Sequence, residues 1–463
     1  MSTRDLYGQV FARALFPFWE RVVRRRPMLD HLAYLERTQW LALDELRSIQ
    51  LDGLRKLLAH AGAHVPFYRA RLADIRPADV RGLDDLHRIP VLTREQAQEI
   101  GAAWRSTVAP FPAVEKTTSG TGGRPLRFGY DIGSNHWRNA VKLRGYGWAG
   151  YRLGDRCLHY WGAPIVAMSR WRRAVIDADR LLKRETYVEG MRRGPEALDA
   201  VVAVIRRVRP HAIVAYTQAA VDLARHVNER GLRTWSDLPV LCGAEPLFPG
   251  DRAVLAQAFG PGVFETYGSR EVMLMATECE QHAGLHTSME NLILELVVRG
   301  PDGTTRPAGV GEVGEVLITD LHNLGMPFIR YANGDLARWA KPGRCACGRE
   351  LERLESLDGR VTEVLTDGDG NRVSGVSFLL MFSIIGETVR RYQAVQHVDR
   401  SITLRVIPTP KFSDETRDYL RRSVAKYLPG AELHIELVED IPAGANGKQR
   451  IVVVERDPQA ARA

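Results

Sequence analysis

Apolar positions in the first hundred residues recur every three to four places. Leu43, Leu46, Leu51, Leu54, Leu57 and Leu58 carry that rhythm, which predicts helices broken near Pro66 and Pro90. A shorter helix is expected from Phe16 to Val23, with Pro17 tolerated in its first turn. It sets Phe16, Phe18 and Trp19 ahead of Arg24, Arg25 and Arg26, and packing on the main domain is expected, a membrane surface being the alternative. Between Tyr151 and Glu271 short apolar runs alternate with helical periods. Strands are predicted at Cys157 to Trp161, Ala212 to Tyr216, Val240 to Cys242 and Val263 to Thr266, with helices at Pro195 to Arg207 and Gln218 to Arg230. This alternation implies a largely parallel sheet covered on both faces, whose ligands bind at the carboxyl ends of the strands.

The pattern turns to strands after Glu290, with Leu292 to Arg299 and Glu312 to Asp320 joined through Asp302-Gly303. It changes again after Leu357-Asp358-Gly359-Arg360. The tail then reads as a strand (Ile402 to Ile407), a helix (Asp414 to Leu428), a strand (Glu432 to Leu437) and a loop from Pro442 to Lys448. The chain therefore divides into a large α/β domain, 1–358, and a small α+β domain, 359–463. The large domain is helical over 1–100, an α/β core over 101–290 and β-rich over 291–358.

At 463 residues, 45% hydrophobic and 26% charged, the chain has the composition of an ordinary globular protein too long for one core. No apolar stretch is long enough to span a bilayer and no secretory signal pattern opens the sequence, so a cytoplasmic protein is expected. The net charge of +8 suits anionic ligands, but the basic runs read as solvated helix faces and no nucleic-acid-binding pattern accompanies them.

Candidate chemistry sits in short motifs. Thr117-Thr118-Ser119-Gly120-Thr121-Gly122-Gly123-Arg124-Pro125 offers backbone amides that close around phosphate oxygens, without the Gly-Lys-Ser/Thr ending of a Walker loop. Gly243-Ala244-Glu245-Pro246 and Tyr267-Gly268-Ser269-Arg270-Glu271 fall just past predicted strands. A tyrosine there stacks on a base, a glycine admits close backbone approach, and a carboxylate holds Mg²⁺. Asn333-Gly334-Asp335, a turn if taken alone, carries an aspartate able to accept two ribose hydroxyls; Gly359-Arg360 and Gly447-Lys448 complete the series.

In this order the motifs resemble those of the adenylate-forming superfamily, and within it the phenylacetate-CoA ligase family. The segment Ala63-His64-Val65-Pro66-Phe67-Tyr68-Arg69 looks closest to the CapK-like branch. The resemblance implies an adenylate-forming fold with a mobile C-terminal domain, and an enzyme using ATP and Mg²⁺ to make an acyl-adenylate. By the same resemblance Thr118, Ser119, Gly120, Thr121, Gly122 and Gly123 handle the ATP phosphates. Gly243, Ala244, Glu245, Tyr267 and Gly268 would surround the adenine, with Ser269 also binding the cofactor, while Glu271 would hold Mg²⁺, Asp335 the ribose and Arg360 the ribose or phosphate. Lys448 corresponds to the mobile lysine that joins the carboxylate to the α-phosphate, with a hinge near Arg360 to Glu363. Two positions depart from the family pattern: Thr362, where an acidic residue is common, and Arg270, where threonine is.

The acid partner is a small molecule, and His159, Tyr160, Trp161, Tyr216 and Met273 are candidates for its pocket. The acceptor is expected to be CoA, with an amine as the alternative and a non-catalytic nucleotide-binding homologue as a third reading. Cys279, His286, Cys345 and Cys347 form a Cys₃His set suited to a structural Zn²⁺, with His282 as the other available imidazole. Cys157 and Cys242 lie in predicted apolar strands and read as core.

Overall fold

The computed structural model describes residues 6–108, 114–117, 126–161, 170–190, 194–300, 304–360, 364–368, 372–374, 381–382, 385, 388–441 and 451–455. The chain forms two compact units. One comprises Met1–Leu247, Asp251–Asn333 and Ala337–Leu357; the other comprises Phe248–Gly250, Gly334–Leu336 and Asp358–Ala463.

In the larger unit the helix Leu43–His64 buries Leu46, Leu54, Leu57, Leu58 and Ala61, as the periodicity requires, and Pro66 opens the next helix where its missing N–H costs nothing. Tyr68 on that helix and Trp104 both donate to the carbonyl of Pro327, at 3.0 and 2.7 Å, so the helical region clamps a distant loop of the β-rich part.

Among the described residues the largest sheet has twelve strands. Five run parallel: Glu185–Val188, Cys157–Tyr160, Ala212–Tyr216, Val240–Gly243 and Val263–Ser269 in spatial order. Their connections carry the helices Pro195–Val208, Thr217–Glu229 and Pro249–Phe259, whose apolar faces close a core around Leu158, Tyr160, Ile213 and Val240. This is the α/β architecture expected from the alternation. Val263–Ser269 then pairs antiparallel with Met273–Glu278, which pairs antiparallel with Leu285–Thr287. The predicted Leu292–Arg299 is observed with those bounds, antiparallel to Val313–Asp320.

The helix Ile132–Trp148 lies on the strand Met273–Glu278 at its most crowded point, where a Cβ on Gly145 would fall 2.7 Å from Leu274 and 2.8 Å from Thr277. Asp131 caps this helix by accepting from the Ser134 amide at 2.8 Å. Its second oxygen accepts from the amides of Leu324 and Gly325.

The N-terminal helix starts ten residues earlier than its pattern suggested: residues 6–23 are helical without a break. Phe11 and Phe16 pack inward with Met28 and Leu35, but Phe18 and Trp19 are exposed, so the expected packing holds for only part of the aromatic cluster.

In the smaller unit a four-stranded sheet runs Leu433–Leu437, Ile402–Pro408, Val389–Gln396, Val452–Val454. The helix Asp414–Tyr427, capped by Ser413, covers it through Leu420 and Val424. Gly368 and Gly430 touch backbone to backbone; a Cβ on Gly368 would meet the Gly430 Cα at 2.8 Å.

Candidate functional site

The strand Val263–Ser269 is where the sheet changes from parallel to antiparallel pairing. Its register aligns Ala215, Cys242 and Glu265, and hence Tyr216, Gly243 and Thr266 one residue further on. That row is tightly built: Trp161 stacks on Tyr216 with ring centroids 4.3 Å apart, and Thr266 Oγ1 donates to the Cys242 carbonyl at 2.8 Å. A Cβ on Gly243 would lie 2.6 Å from Thr266 Oγ1 and 3.4 Å from Trp161, so only glycine fits there. Ala244 follows with a φ of 69°, a left-handed position that turns the chain sharply at the strand end. Glu245 then caps the helix Thr217–Glu229, its carboxylate accepting from the Gln218 amide at 3.0 Å and its carbonyl from Thr217 Oγ1 at 2.7 Å.

Tyr267 and Gly268 lie within the strand rather than past it. The buried Tyr267 accepts a hydrogen bond from Asn333 Nδ2 at 3.0 Å, and the ladder shifts register between Tyr267 and Gly268. A Cβ on Gly268 would sit 2.2 Å from the Met273 carbonyl. Arg270 reaches back to donate to the carbonyl of Thr117 at 2.7 Å, the residue that leads into the glycine run.

Glu271 is buried, with one cation and one hydroxyl at its carboxylate. Tyr331 donates to its Oε1 at 3.3 Å and the Arg94 guanidinium lies 3.6 Å away. Its backbone carbonyl accepts from Arg138, which is itself paired with Asp320 at 2.7 Å, both side chains almost wholly buried. Burial, and after it the Glu271 charge, holds the Tyr331 hydroxyl well above the usual phenol range, so it remains a donor. Tyr331 and Asn333, two apart on the strand Tyr331–Trp339, share one face of it. The Asn-Gly-Asp triplet is thus a strand segment and not a turn; Gly334 has a φ of 82° that only glycine adopts easily.

A second cluster forms beside this region. His286 sits on the short strand Leu285–Thr287, opposite Thr277 on one side and Arg353 on the other. Cys279 follows the strand Met273–Glu278, and Cys345 and Cys347 lie on a turn closed by the Gly348 amide donating to the Cys345 carbonyl at 2.8 Å. The pairing brings the ligand atoms of Cys279, His286, Cys345 and Cys347 within 4.8 Å of one another. Cys279 Sγ is 3.9 Å from Cys345 Sγ, and Cys347 Sγ is 3.4 Å from His286 Nε2. Tetrahedral zinc bonds require separations of about 3.8 Å between sulfurs and about 3.6 Å between sulfur and nitrogen, so these donors fit the ion. His286 Nδ1 faces the Leu351 carbonyl at 3.4 Å, which fixes the tautomer with Nε2 free to ligate. Burial lowers the His286 imidazole to about 4, keeping it neutral, and raises the Cys279 thiol to about 12. Burial also opposes ionisation of Cys347, but hydrogen bonds, first from Arg349, bring that thiol below its usual value. His282 points elsewhere, 3.3 Å from Glu278.

The sequence profile of the CapK C-terminal domain matches residues 365–455. The chain is 28% identical over 389 residues to the phenylacetate-coenzyme A ligase of Thermus thermophilus, covering 79% of this chain and 81% of that one. It is 28% identical over 343 residues to the Escherichia coli phenylacetate-coenzyme A ligase, covering 72% and 75%. The chain is a homologue of the phenylacetate-coenzyme A ligases. A structure of 2-hydroxyisobutyryl-CoA ligase with an acyl-adenylate superposes with a TM-score of 0.72 at 21% identity, over 92% of this chain and 93% of that one, which shows the shared fold.

Within this phenylacetate-CoA ligase homologue the expected site residues are distributed unevenly. The structure gathers Trp161, Tyr216, Gly243, Ala244, Tyr267 and Glu271 around the switch strand. Met273 faces Ser269 in the ladder with a φ of 69°. Tyr160 points to the opposite face of its strand from Cys157 and lies fully buried in the helix-covered core, while His159 stacks on Tyr187 at 4.4 Å. Asp335 is buried. Arg360 ends the strand Arg353–Arg360; its side chain, Thr118 to Gly123 and Lys448 lie outside the described residues. Arg94, Arg138 and Tyr331 stand outside the sequence motifs, because each acts on Glu271 from between 60 and 177 positions away, while Asn333 belongs to the Asn-Gly-Asp motif but bonds to Tyr267, 66 positions away.

Proposed function

We propose that this chain activates a carboxylic acid with ATP and passes the acyl group to CoA. A carboxylate oxygen attacks the α-phosphorus, the bond to pyrophosphate breaks, and the CoA thiol then displaces AMP from the acyl carbon while its proton leaves to solvent. The observation that carries the reading is Glu271, a buried carboxylate fixed through its backbone by Arg138 and through its side chain by Tyr331 and Arg94, just past the strand that carries Tyr267. Two anions must approach in the first step, so preorganised positive charge lowers the barrier. Mg²⁺ held by Glu271 would supply part of that charge, and Lys448 the rest. In this reading Gly243 and Tyr267 would border the adenine, and the stacked Trp161 and Tyr216 would border the acid.

Cys279, His286, Cys345 and Cys347 would hold Zn²⁺ with no open position, making it structural. The domain rotation that alternates Lys448 with a thioester-forming face belongs to the same reading.

Pyrophosphate release over a panel of aromatic, amino and aliphatic acids, with and without CoA, tests it. The expected result is acid-dependent pyrophosphate and CoA-accelerated AMP release. No acid-dependent pyrophosphate would leave a non-catalytic homologue, and acceleration by an amine alone would replace thioester with amide formation. Lys448→Ala should abolish adenylation while chemically made acyl-AMP is still consumed on adding CoA; equal loss of both steps would remove the lysine from its assigned role.

A further inference from the structure

The N-terminal helix has three distinct rows. Over residues 6–23 the chain makes two π-helical stretches, Phe11–Leu15 and Phe18–Val23, which widen the turn so that residues four apart line up along the axis. Gly8, Phe16 and Glu20 form the inward row, with Phe11 also buried and stacked on Tyr7. Leu6, Val10, Ala14, Phe18 and Val22 form an outward row, with Tyr7, Leu15, Trp19 and Val23 beside it, and all nine are exposed. Leu6 is 77% and Phe18 59% accessible.

The helix Arg170–Lys183 repeats this arrangement. Trp171, Val175, Ala178 and Leu182 recur at helical spacing on one stripe with Leu181 at its edge, and none is covered. Trp171 is 77% and Leu181 78% accessible. The two helices are joined, because the Tyr7 hydroxyl donates to the Leu182 carbonyl at 2.8 Å and the Arg184 guanidinium lies over the Tyr7 ring at 5.1 Å. Each helix thus leaves an apolar stripe uncovered, and the stripes meet where Tyr7 touches Leu182, more apolar exposure than scattered surface residues explain.

Its border is basic along the first helix, where Arg13, Arg21, Arg24 and Arg25 are exposed and Arg21 pairs with Asp30. Along the second helix Arg173 is exposed, and the exposed Asp177 and Asp179 are paired with Arg180 and Lys183. The only carboxylate between residues 6 and 29 is Glu20, which is buried 3.7 Å from Arg26. Arg24 lies over the Trp19 ring at 5.1 Å, an aromatic and a cation at one level.

We propose that this surface docks the enzyme on an anionic lipid bilayer, both helices lying in the interface plane with their apolar rows in the acyl boundary and the arginines among the headgroups. No helix among the described residues is long and apolar enough to cross a membrane, so the attachment is peripheral. A second copy of the chain is the competing occupant. A symmetric contact would set the patch against itself and bring the arginine border onto its own image, which is repulsive; an anionic surface attracts it. The proposal does not depend on the reaction assigned above.

The test is co-sedimentation of the full chain with vesicles of phosphatidylcholine alone and of phosphatidylcholine with phosphatidylglycerol. Binding is expected to the anionic vesicles, weakening as salt rises. F18S/W19S, and separately R13E/R24E/R25E, should each weaken it by roughly two orders of magnitude. Circular dichroism spectra and thermal midpoints of the variants should match the parent, since all five side chains are exposed. Bromolipid quenching of tryptophan emission should fall in the double variant. Failure of the parent to sediment with anionic vesicles at millimolar lipid, or binding that neither variant changes, overturns the proposal. So does a dimer in sedimentation equilibrium that F18S/W19S dissociates.

Discussion

Arg138 and Asp320 form an ion pair 2.7 Å long with each side chain only 1% exposed, and the same guanidinium holds the backbone of Glu271. Removing one partner of such a pair strands the other charge in the interior. Arg138→Met is therefore expected to cost about 3–5 kcal/mol in urea denaturation, and adding Asp320→Asn should recover part of that loss. If the single and double variants are equally unstable, the pair is not the source of the cost. Any residual folded Arg138→Met should also show a raised Mg²⁺ requirement, because the backbone of Glu271 has lost its anchor.

Glu271→Gln keeps the shape of the side chain and its bond from Tyr331 while removing its charge. Adenylation should fall by roughly a hundred to a thousandfold, an effect of the size seen when a positioned electrostatic group is lost. Tyr331→Phe should lower it by about tenfold or less, since the hydroxyl orients the carboxylate without carrying charge. Burst measurements of pyrophosphate over a Mg²⁺ titration separate the two. An unchanged rate in the glutamine variant would remove Glu271 from the metal.

Four of the five parallel strands were legible because each is a short apolar run bounded by helical periods, and Ala212–Tyr216 was bounded to the residue; the edge strand Glu185–Val188 was not, because it opens on a glutamate and a threonine and is only half-buried. The antiparallel continuation was not. Met273–Glu278 and Leu285–Thr287 are short, carry polar residues on both faces, and exist because Thr277 pairs with His286 and His286 with Arg353 across the sheet. Asn333-Gly334-Asp335 has turn chemistry but is overruled by its neighbours, Tyr331 and Asn333 bonding to Glu271 and Tyr267. Glu245 shows the reverse limit. Its position beside Gly243 was readable, but its hydrogen bonds to the helix Thr217–Glu229 depend on a contact 27 residues away.

The proximity of Cys279, His286, Cys345 and Cys347 leads to a metal prediction. Protein purified without a metal-binding tag is expected to contain about one equivalent of zinc, measured by elemental analysis. Cys345→Ser should lose the metal and lower the thermal midpoint, yet retain adenylation at a temperature where it is folded, because the four ligands leave no coordination site for substrate. Absence of zinc together with freely titratable Cys279, Cys345 and Cys347 in the folded protein would reject the centre.

Glu265 sets a pH dependence of stability with a definite sign. It lies on the switch strand with one oxygen accepting from the Leu247 amide at 3.1 Å. Burial, offset in part by that bond and reinforced by Glu278, raises its carboxyl from 4.5 to about 7. The folded state therefore keeps a proton that the unfolded chain releases above pH 4.5. Its stabilising contribution is complete below the unfolded value and is lost as pH rises through the folded one, about 7. The full loss is about 3 kcal/mol. Glu265→Gln cannot titrate, so its stability relative to the parent should rise by about that amount between about pH 5 and 8. Paired denaturation curves at the two pH values isolate the effect, since all other titrating groups are common to both proteins. A difference that stays flat across the range would mean that Glu265 is ionised in the folded state throughout.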